Sequence, residues 1–500
     1  MRAEAGRYAA RLAGSLGFAF LLAAGVGPLD GQEPPTPAEI ERVEAVQLAV
    51  ETISSDLGDD LWPGFRPDRN PVLYSGLGGG ILVGWPGELP EGFRALDGRD
   101  GVAWSPAPTF PPLFRAGTTF TSLAPKYSLP AAAALAVHEH FHAHQRERAR
   151  AGAAFGRSER PAGVRVYPAF DTVNAALLAL EGRILASSLE TGAGPRSGRG
   201  MPEARAREFL AVRRRRRASL PDQVNRWEQR LERNEGLADY VAVRALRWLS
   251  RTDHRGWGDE ARAELDRRRA WLRGLVTSGD SSLRRRHYAT GSAIALALDA
   301  LAPRWPRRMT AGDRSLEGLL AEALEPDAGE IPSDGSFRRA ARREGLAELR
   351  GRVASHLAGI AGRRAARVDS LLGRSGTVLR LEAGDPATIC GLDPLNVRHV
   401  DRRRVLHGGF LRVCGPDEAF VLRARGPTLE DLDEGSFSVP VRDRGEAPVV
   451  TAAGDTLGLA ARTGDEILEA VTVDASGVSI RADRAYVVRR QGELIVRPVR

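Results

Sequence analysis

Four of the chain's nine histidines fall within seven residues, His138, His140, His142 and His144 in "LAVHEHFHAHQRE". Their alternation would suit a strand, but the flanks "SLPAAAALAV" and "AHQRERARAGAA" are rich in Ala, Leu, Arg and Glu and nearly free of β-branched residues. Such residues lose little side-chain freedom in a helix. Ser128 with Leu129-Pro130 supplies an N-cap and a first-turn proline. At about 100° per residue, His138, His142 and Gln145 share one face with Ala134 and Leu135, while His140 and His144 point the other way. Two imidazoles one helical turn apart can both reach one metal ion, and a glutamate directly after the first can work on the ion's water. His138-Glu139-His140-Phe141-His142 meets that H-E-x-x-H pattern. His140 and His144 have the spacing but Phe141 in place of the glutamate, and read as a polar outer face or as support for the first pair.

A zinc site that does chemistry takes a third protein ligand and keeps one position for water. Gln145 and Arg148 stand where a metzincin would have Gly and His, which excludes that branch. Two glutamates compete for the role. Glu181, mid-helix in the apolar "NAALLALEGRILASSLE", needs a metal or a charged partner such as arginine. Glu235 lies in "RLERNEGLADYVAVRAL", one helical turn before Asp239.

Asn234-Glu235-Gly236-Leu237-Ala238 together with the histidine helix resembles the gluzincins, zinc metallopeptidases with an H-E-x-x-H helix and a downstream glutamate helix. The resemblance covers these two segments and favours Glu235 over Glu181. It implies that His138, His142 and Glu235 bind Zn2+, that Glu139 is the general base, and that Asp239 orients a ligand histidine. It also implies a downstream oxyanion donor, for which "RRRHYATG" offers Tyr288 first and His287 second. The aminopeptidase signature G-x-M-E-N is missing, so exopeptidase specificity is not implied. The remaining histidines, His254, His356, His399 and His407, have no motif around them.

The elements that must position these residues follow from the rest of the chain. Arg2, Arg7 and Arg11 precede an apolar core from about Leu16 to Val26, too short to span a bilayer and laid out like a secretory signal peptide. The expectation is a signal over 1–31, a zincin-like domain over 32–375 and a β-rich domain over 376–500. The fold class is α+β: a small N-terminal β element, a mostly helical catalytic domain, then a C-terminal antiparallel β domain of sandwich-like build. A helix is expected near 37–57. Asn70–Tyr74 and Ile81–Trp85 read as strands joined by a glycine run that lacks the Gly-Lys-Ser/Thr of a phosphate loop. The resemblance makes this pair the sheet edge that borders the cleft. Past Ser375, "TVLRL", "FLRV", "AFVLRA", "VSIRA", "AYVVRR" and "LIVRPV" alternate as strands do.

Composition sets the remaining limits. At 500 residues and 42% hydrophobic, the chain can bury more than one core. The net charge is +8, carried by arginine with Lys126 the one lysine. Arg213-Arg214-Arg215-Arg216-Arg217 points all around a helix axis rather than along one stripe, so it reads as a solvated helix and not as a nucleic-acid surface. Cys390 and Cys414 fit a disulfide in an oxidising compartment, worth roughly 3 kcal/mol. The sequence thus predicts an exported periplasmic or extracellular zinc peptidase with a peptide or protein substrate, no nucleic-acid partner and no stable membrane anchor. The alternatives are a non-catalytic exported metal-binding or partner-recognition protein on the same scaffold, and another metal-dependent hydrolase.

Overall fold

The computed structural model describes residues 34–75, 79–106, 118–124, 126–152, 162–189, 201–275, 283–324, 334–373, 377–384, 388–393, 396–441, 448–457, 466–490 and 492–499. The segment read as a signal peptide and part of the glycine run lie outside these residues. The architecture is α+β, with a small mixed sheet, a helical region and a C-terminal β region. The chain forms two compact units. One comprises Met1–Glu159, Ala176–Ser278 and Arg284–Leu349, and the other Arg160–Ala175, Gly279–Leu283 and Arg350–Arg500.

In the first unit, helix α1 (Pro37–Leu57) starts at a reciprocal cap, where the Thr36 hydroxyl accepts from the Glu39 amide and Glu39 accepts from the Thr36 amide. Its Val43, Val46, Val50 and Ile53 are fully buried at helical spacing. Strands β1 (Val72–Ser75), β2 (Gly80–Val83), β3 (Arg94–Ala95), β4 (Val102–Ser105) and β5 (Thr119–Ser122) form a sheet in the order β3-β4-β2-β1-β5. All pairs are antiparallel except β1 with β5. β1 and β2 therefore lie inside the sheet, which corrects the expectation that they form its edge; the edge strands are β3 and β5.

Helix α2 (Leu129–Arg150) carries the histidines and packs against β5 and α1. Ser128 holds the N-cap position in extended conformation, though its hydroxyl makes no capping bond. Phe141, on the face away from Glu139, sits edge-on to Trp62 and Phe65 at ring distances of 5.2 and 5.1 Å. His140 and His144 are not an outer face. They are 1% and 7% exposed, because the sheet and the segment after α1 cover that side of α2. His140 Nδ1 lies 2.9 Å from the Thr119 hydroxyl of β5, and His144 packs on Phe65. Burial holds both rings neutral, lowering their pKa values to about 3 and about 4.

The helical region continues with α3 (Ala162–Arg165), α4 (Thr172–Leu185), α5 (Glu203–Arg217), α6 (Asp222–Leu231), a π-turn (Glu232–Gly236), α7 (Leu237–Thr252), α8 (Gly258–Arg273) and α9 (Leu283–Leu301). It closes with α10 (Trp305–Ala311), α11 (Leu316–Leu324), α12 (Asp334–Arg343) and α13 (Leu346–Gly373). Among the described residues no helix is long and apolar enough to cross a membrane.

The second unit is built on β6 (Thr377–Glu382), β7 (Thr388–Leu392), β8 (Val397–His399), β9 (Arg404–His407), β10 (Phe410–Cys414), β11 (Phe420–Arg425), β12 (Thr428–Asp431) and β13 (Ser436–Val441). It is completed by β14 (Val449–Ala452), β15 (Asp455–Thr456), β16 (Ile467–Ala475), β17 (Val478–Arg490) and β18 (Glu493–Pro498). These are the alternating runs of the sequence, with "VSIRA" and "AYVVRR" joined in the single long β17. They make one curled sheet, a half-barrel rather than a sandwich, and it is mixed because β18 runs parallel to β6. Its concave core holds Leu379, Leu381, Leu411, Leu422, Val473 and Ile480. Cys390 and Cys414 form a disulfide. Glu430, fully buried, takes both the His407 Nε2 proton at 2.9 Å and the Arg165 guanidinium at 2.5 Å, while His399 Nε2 donates to the Arg165 carbonyl at 2.9 Å.

Candidate metal centre

Three side chains converge between α2 and the π-turn. His142 Nε2 lies 3.1 Å from His138 Nε2 and 3.1 Å from Glu235 Oε2, and His138 Nε2 lies 3.6 Å from the same oxygen. Ligands about 2.0–2.2 Å from a tetrahedral zinc are separated by about 3.3–3.6 Å, so this triangle is close to the size of one face of such a site. The donor set, two imidazoles and one carboxylate, is one that suits a borderline metal ion. The three side chains are 9%, 15% and 11% exposed, and among the described residues no other group of three or more such side chains converges this closely.

Two of the three candidate ligands, His142 and Glu235, are held from behind. The Gln145 amide donates to the Asn234 carbonyl at 2.9 Å and reaches the Arg233 carbonyl at 3.5 Å. With its NH2 end so committed, Gln145 turns its oxygen to His142 Nδ1, 2.7 Å away. That makes Nδ1 the donor and leaves the Nε2 lone pair for the ion. Gln145 is 1% exposed, and it ties one ligand helix to the backbone next to the other ligand. On the far side, Arg284 in the first turn of α9 donates to Glu235 Oε1 at 3.0 Å, leaving Oε2 toward the histidines.

The electrostatics match. Burial opposes ionisation of Glu235, but His142, His138 and Arg284 outweigh it and hold its pKa well below the carboxylate range. Burial likewise opposes charge on His142, and Glu235 outweighs it, so its pKa is raised. Glu139, half-buried beside the pair, has its pKa raised by burial, with the two histidines pulling the other way.

Of the remaining sequence candidates, Tyr288 lies at the site: its ring stacks on His138 with centroids 5.9 Å apart and planes 11° apart. His287 does not face the triad. It is fully buried, its nitrogens 3.7 and 3.8 Å from Glu228 and Glu232. Asp239 pairs with Arg268 of α8, and Gln145 performs the orienting role expected of it. Glu181 is not a ligand; it accepts from Arg213 Nε at 2.8 Å and Arg216 Nε at 2.7 Å.

That ion pair also corrects the reading of the arginine run. Arg214 and Arg215 are exposed, but Arg213 and Arg216 are fully buried and Arg217 is 8% exposed. Residues three and four apart share a face, and here that face meets Glu181, Glu228 and Glu232. Glu228 accepts a two-point bond from Arg216 at 2.8 and 2.8 Å. Burial raises the cost of its charge, yet Arg216 and His287 bring its pKa down to about 2. The sequence signal was available: Glu228 and Glu232 stand one helical turn apart, as Arg213 and Arg217 do.

No family model, curated protein or solved structure matches this chain.

Proposed function

We propose that the chain is a zinc-dependent peptidase of gluzincin-like design, acting on a peptide or protein substrate outside the cytoplasm. The observation that carries this reading is the convergence of His138 Nε2, His142 Nε2 and Glu235 Oε2 into a triangle of zinc-site dimensions, with Glu139 next to the first ligand. A zinc ion there supplies Lewis-acid polarisation of a carbonyl and acidifies a water. Glu139, next to the first ligand, would accept the water's proton on its carboxylate and deliver it to the leaving amine. Gln145 keeps His142 in the tautomer that leaves Nε2 free. Tyr288, whose ring stacks on His138, is the candidate oxyanion donor in this reading. The Cys390–Cys414 disulfide supports an oxidising compartment.

The test separates holding a metal from doing chemistry. Glu139→Gln keeps every ligand, so it should retain about one zinc per chain and lose hydrolysis of an unstructured protein such as casein. His142→Ala should lose the zinc. A wild-type protein that holds zinc and cleaves no member of a broad peptide library would refute the peptidase and leave a metal-binding protein.

A further inference from the structure

Three arginines and three glutamates are packed out of water between α4, α5, α6 and the π-turn. Arg213, Arg216, Glu181 and Glu228 are fully buried, Glu232 is 2% exposed and Arg217 8%. Removing an ion from water costs several kcal/mol even after relaxation, and apolar side chains of similar volume often stabilise a core as well or better. Stability alone is a weak account of six such charges. What they do is fix a position, and the position is that of Glu232. Its Oε2 accepts from Arg213 Nη1 at 2.9 Å and Arg217 Nη2 at 3.3 Å, and its Oε1 from the Thr290 hydroxyl at 2.8 Å. The arginines that hold it are themselves held, Arg213 by Glu181 and Arg217 by Glu228 and Glu317.

Glu232 opens the five-residue π-turn of which Glu235 is the fourth member. In a regular α-helix residues three apart lie on one face, and both carboxylates would point the same way. The wider turn rotates less per residue, so Glu235 falls short of the face of Glu232: Glu232 enters the arginine cluster while Glu235 reaches the histidines. The backbone of the turn is fixed by contact with α9. A Cβ on Gly236 would stand 2.6 Å from the Gly291 Cα, and one on Gly291 would stand 2.7 Å from the Glu232 carbonyl oxygen. Thr290, which binds Glu232, precedes that glycine.

We infer that Glu232 is a positioning residue for the metal ligand Glu235: the buried arginines, through Glu232, hold the π-turn that turns Glu235 toward His138 and His142. This rests on the metal-binding reading of that triad. The experiment is zinc affinity of the full chain, measured by competition with a chromophoric chelator, for wild type, Glu232→Gln, Thr290→Val, Tyr240→Phe and His142→Ala. Tyr240→Phe removes a part-buried bond, to Asp299 at 2.8 Å, away from the triad. Glu232→Gln should weaken zinc binding about 10- to 100-fold, and Thr290→Val by the lower end of that range, as loss of a group supporting a ligand does. Both should retain wild-type far-ultraviolet circular dichroism, and the cobalt(II) absorption spectrum of each should change. Tyr240→Phe should lower Tm and leave affinity and spectrum as they are. If Glu232→Gln does not fold, Thr290→Val decides. Folded variants that bind zinc as wild type does, while His142→Ala loses it, would overturn the inference alone. Wild-type protein that binds no zinc would overturn the metal reading and this inference with it.

Discussion

Gln145 joins the two ligand elements, and removing it has a calculable effect. Gln145→Leu deletes the acceptor 2.7 Å from His142 Nδ1 and the donor 2.9 Å from the Asn234 carbonyl, at a side chain 1% exposed. Leucine has about the right volume, so the main loss is polar. Each buried group left without its partner costs about 1–3 kcal/mol. One part of that loss appears in folding. The other appears in the metal, because an imidazole whose far nitrogen is not held can rotate or adopt the other tautomer. A 10- to 100-fold loss of zinc affinity, about 1.4–2.8 kcal/mol, is expected. Gln145→Glu separates the two jobs. A carboxylate still accepts the Nδ1 proton, through a stronger charge-assisted bond, but it cannot donate to the Asn234 carbonyl and opposes it. Zinc affinity should stay nearer to wild type than in Gln145→Leu, while chemical denaturation of the metal-free protein should show a loss of about 1–3 kcal/mol. Chelator competition and urea unfolding on the same preparations measure the two quantities. Equal zinc affinity in wild type and Gln145→Leu would refute the assignment of Gln145 as the support of His142.

Arg216→Leu should destabilise the first unit by about 3–5 kcal/mol, because it removes the two-point partner of Glu228 and one of the two arginines on Glu181; a loss below about 1 kcal/mol in urea unfolding would contradict the buried network. Gly291→Ala should raise zinc Kd as well as lower Tm, since the added methyl meets the Glu232 carbonyl at 2.7 Å and must push α9 off the π-turn. Burial holds the His399 pKa down to about 4, against the pull of its bond to the Arg165 carbonyl. Below the unfolded value near 6.5, the unfolded chain takes up a proton that the native ring refuses, so stability falls as pH drops from about 6.5 toward 4, by roughly 2–3 kcal/mol from pH 7 to 4.5. His399→Gln, which still donates to that carbonyl but cannot ionise, should flatten this part of the Tm-against-pH curve. Reduction of Cys390–Cys414 should lower the stability of the β unit by roughly 3 kcal/mol, read as a Tm shift between oxidised and reduced protein.

Much of this protein is local and was therefore legible in the chain itself. Helix formers around the histidines, with proline in the first turn, settle α2, and its period alone puts His138 and His142 on one face. Alternation marks β6, β10, β11, β17 and β18 because each has one face toward a core. The choice of Glu235 came from its motif context, and the convergence of the three ligand atoms agrees with it.

What stayed hidden depends on partners distant in sequence. Periodicity says that His140 and His144 oppose the ligand pair, but not that a strand and two aromatic rings cover that side. An arginine run looks solvated in isolation because charge prefers water; only the approach of Glu181, Glu228 and Glu232 from other helices gives Arg213, Arg216 and Arg217 enough hydrogen bonds to stay buried. The strand order that puts β5 rather than β1 or β2 at the sheet edge is likewise a choice among pairings that every strand's own sequence permits. The sequence by itself determined the donor types of the candidate metal site and the helix that carries its two histidines. Tertiary structure decided which glutamate faces the histidines, because Glu235 lies in a π-turn that meets buried arginines through Glu232 and α9 through a glycine contact, while Glu181 is taken by Arg213 and Arg216.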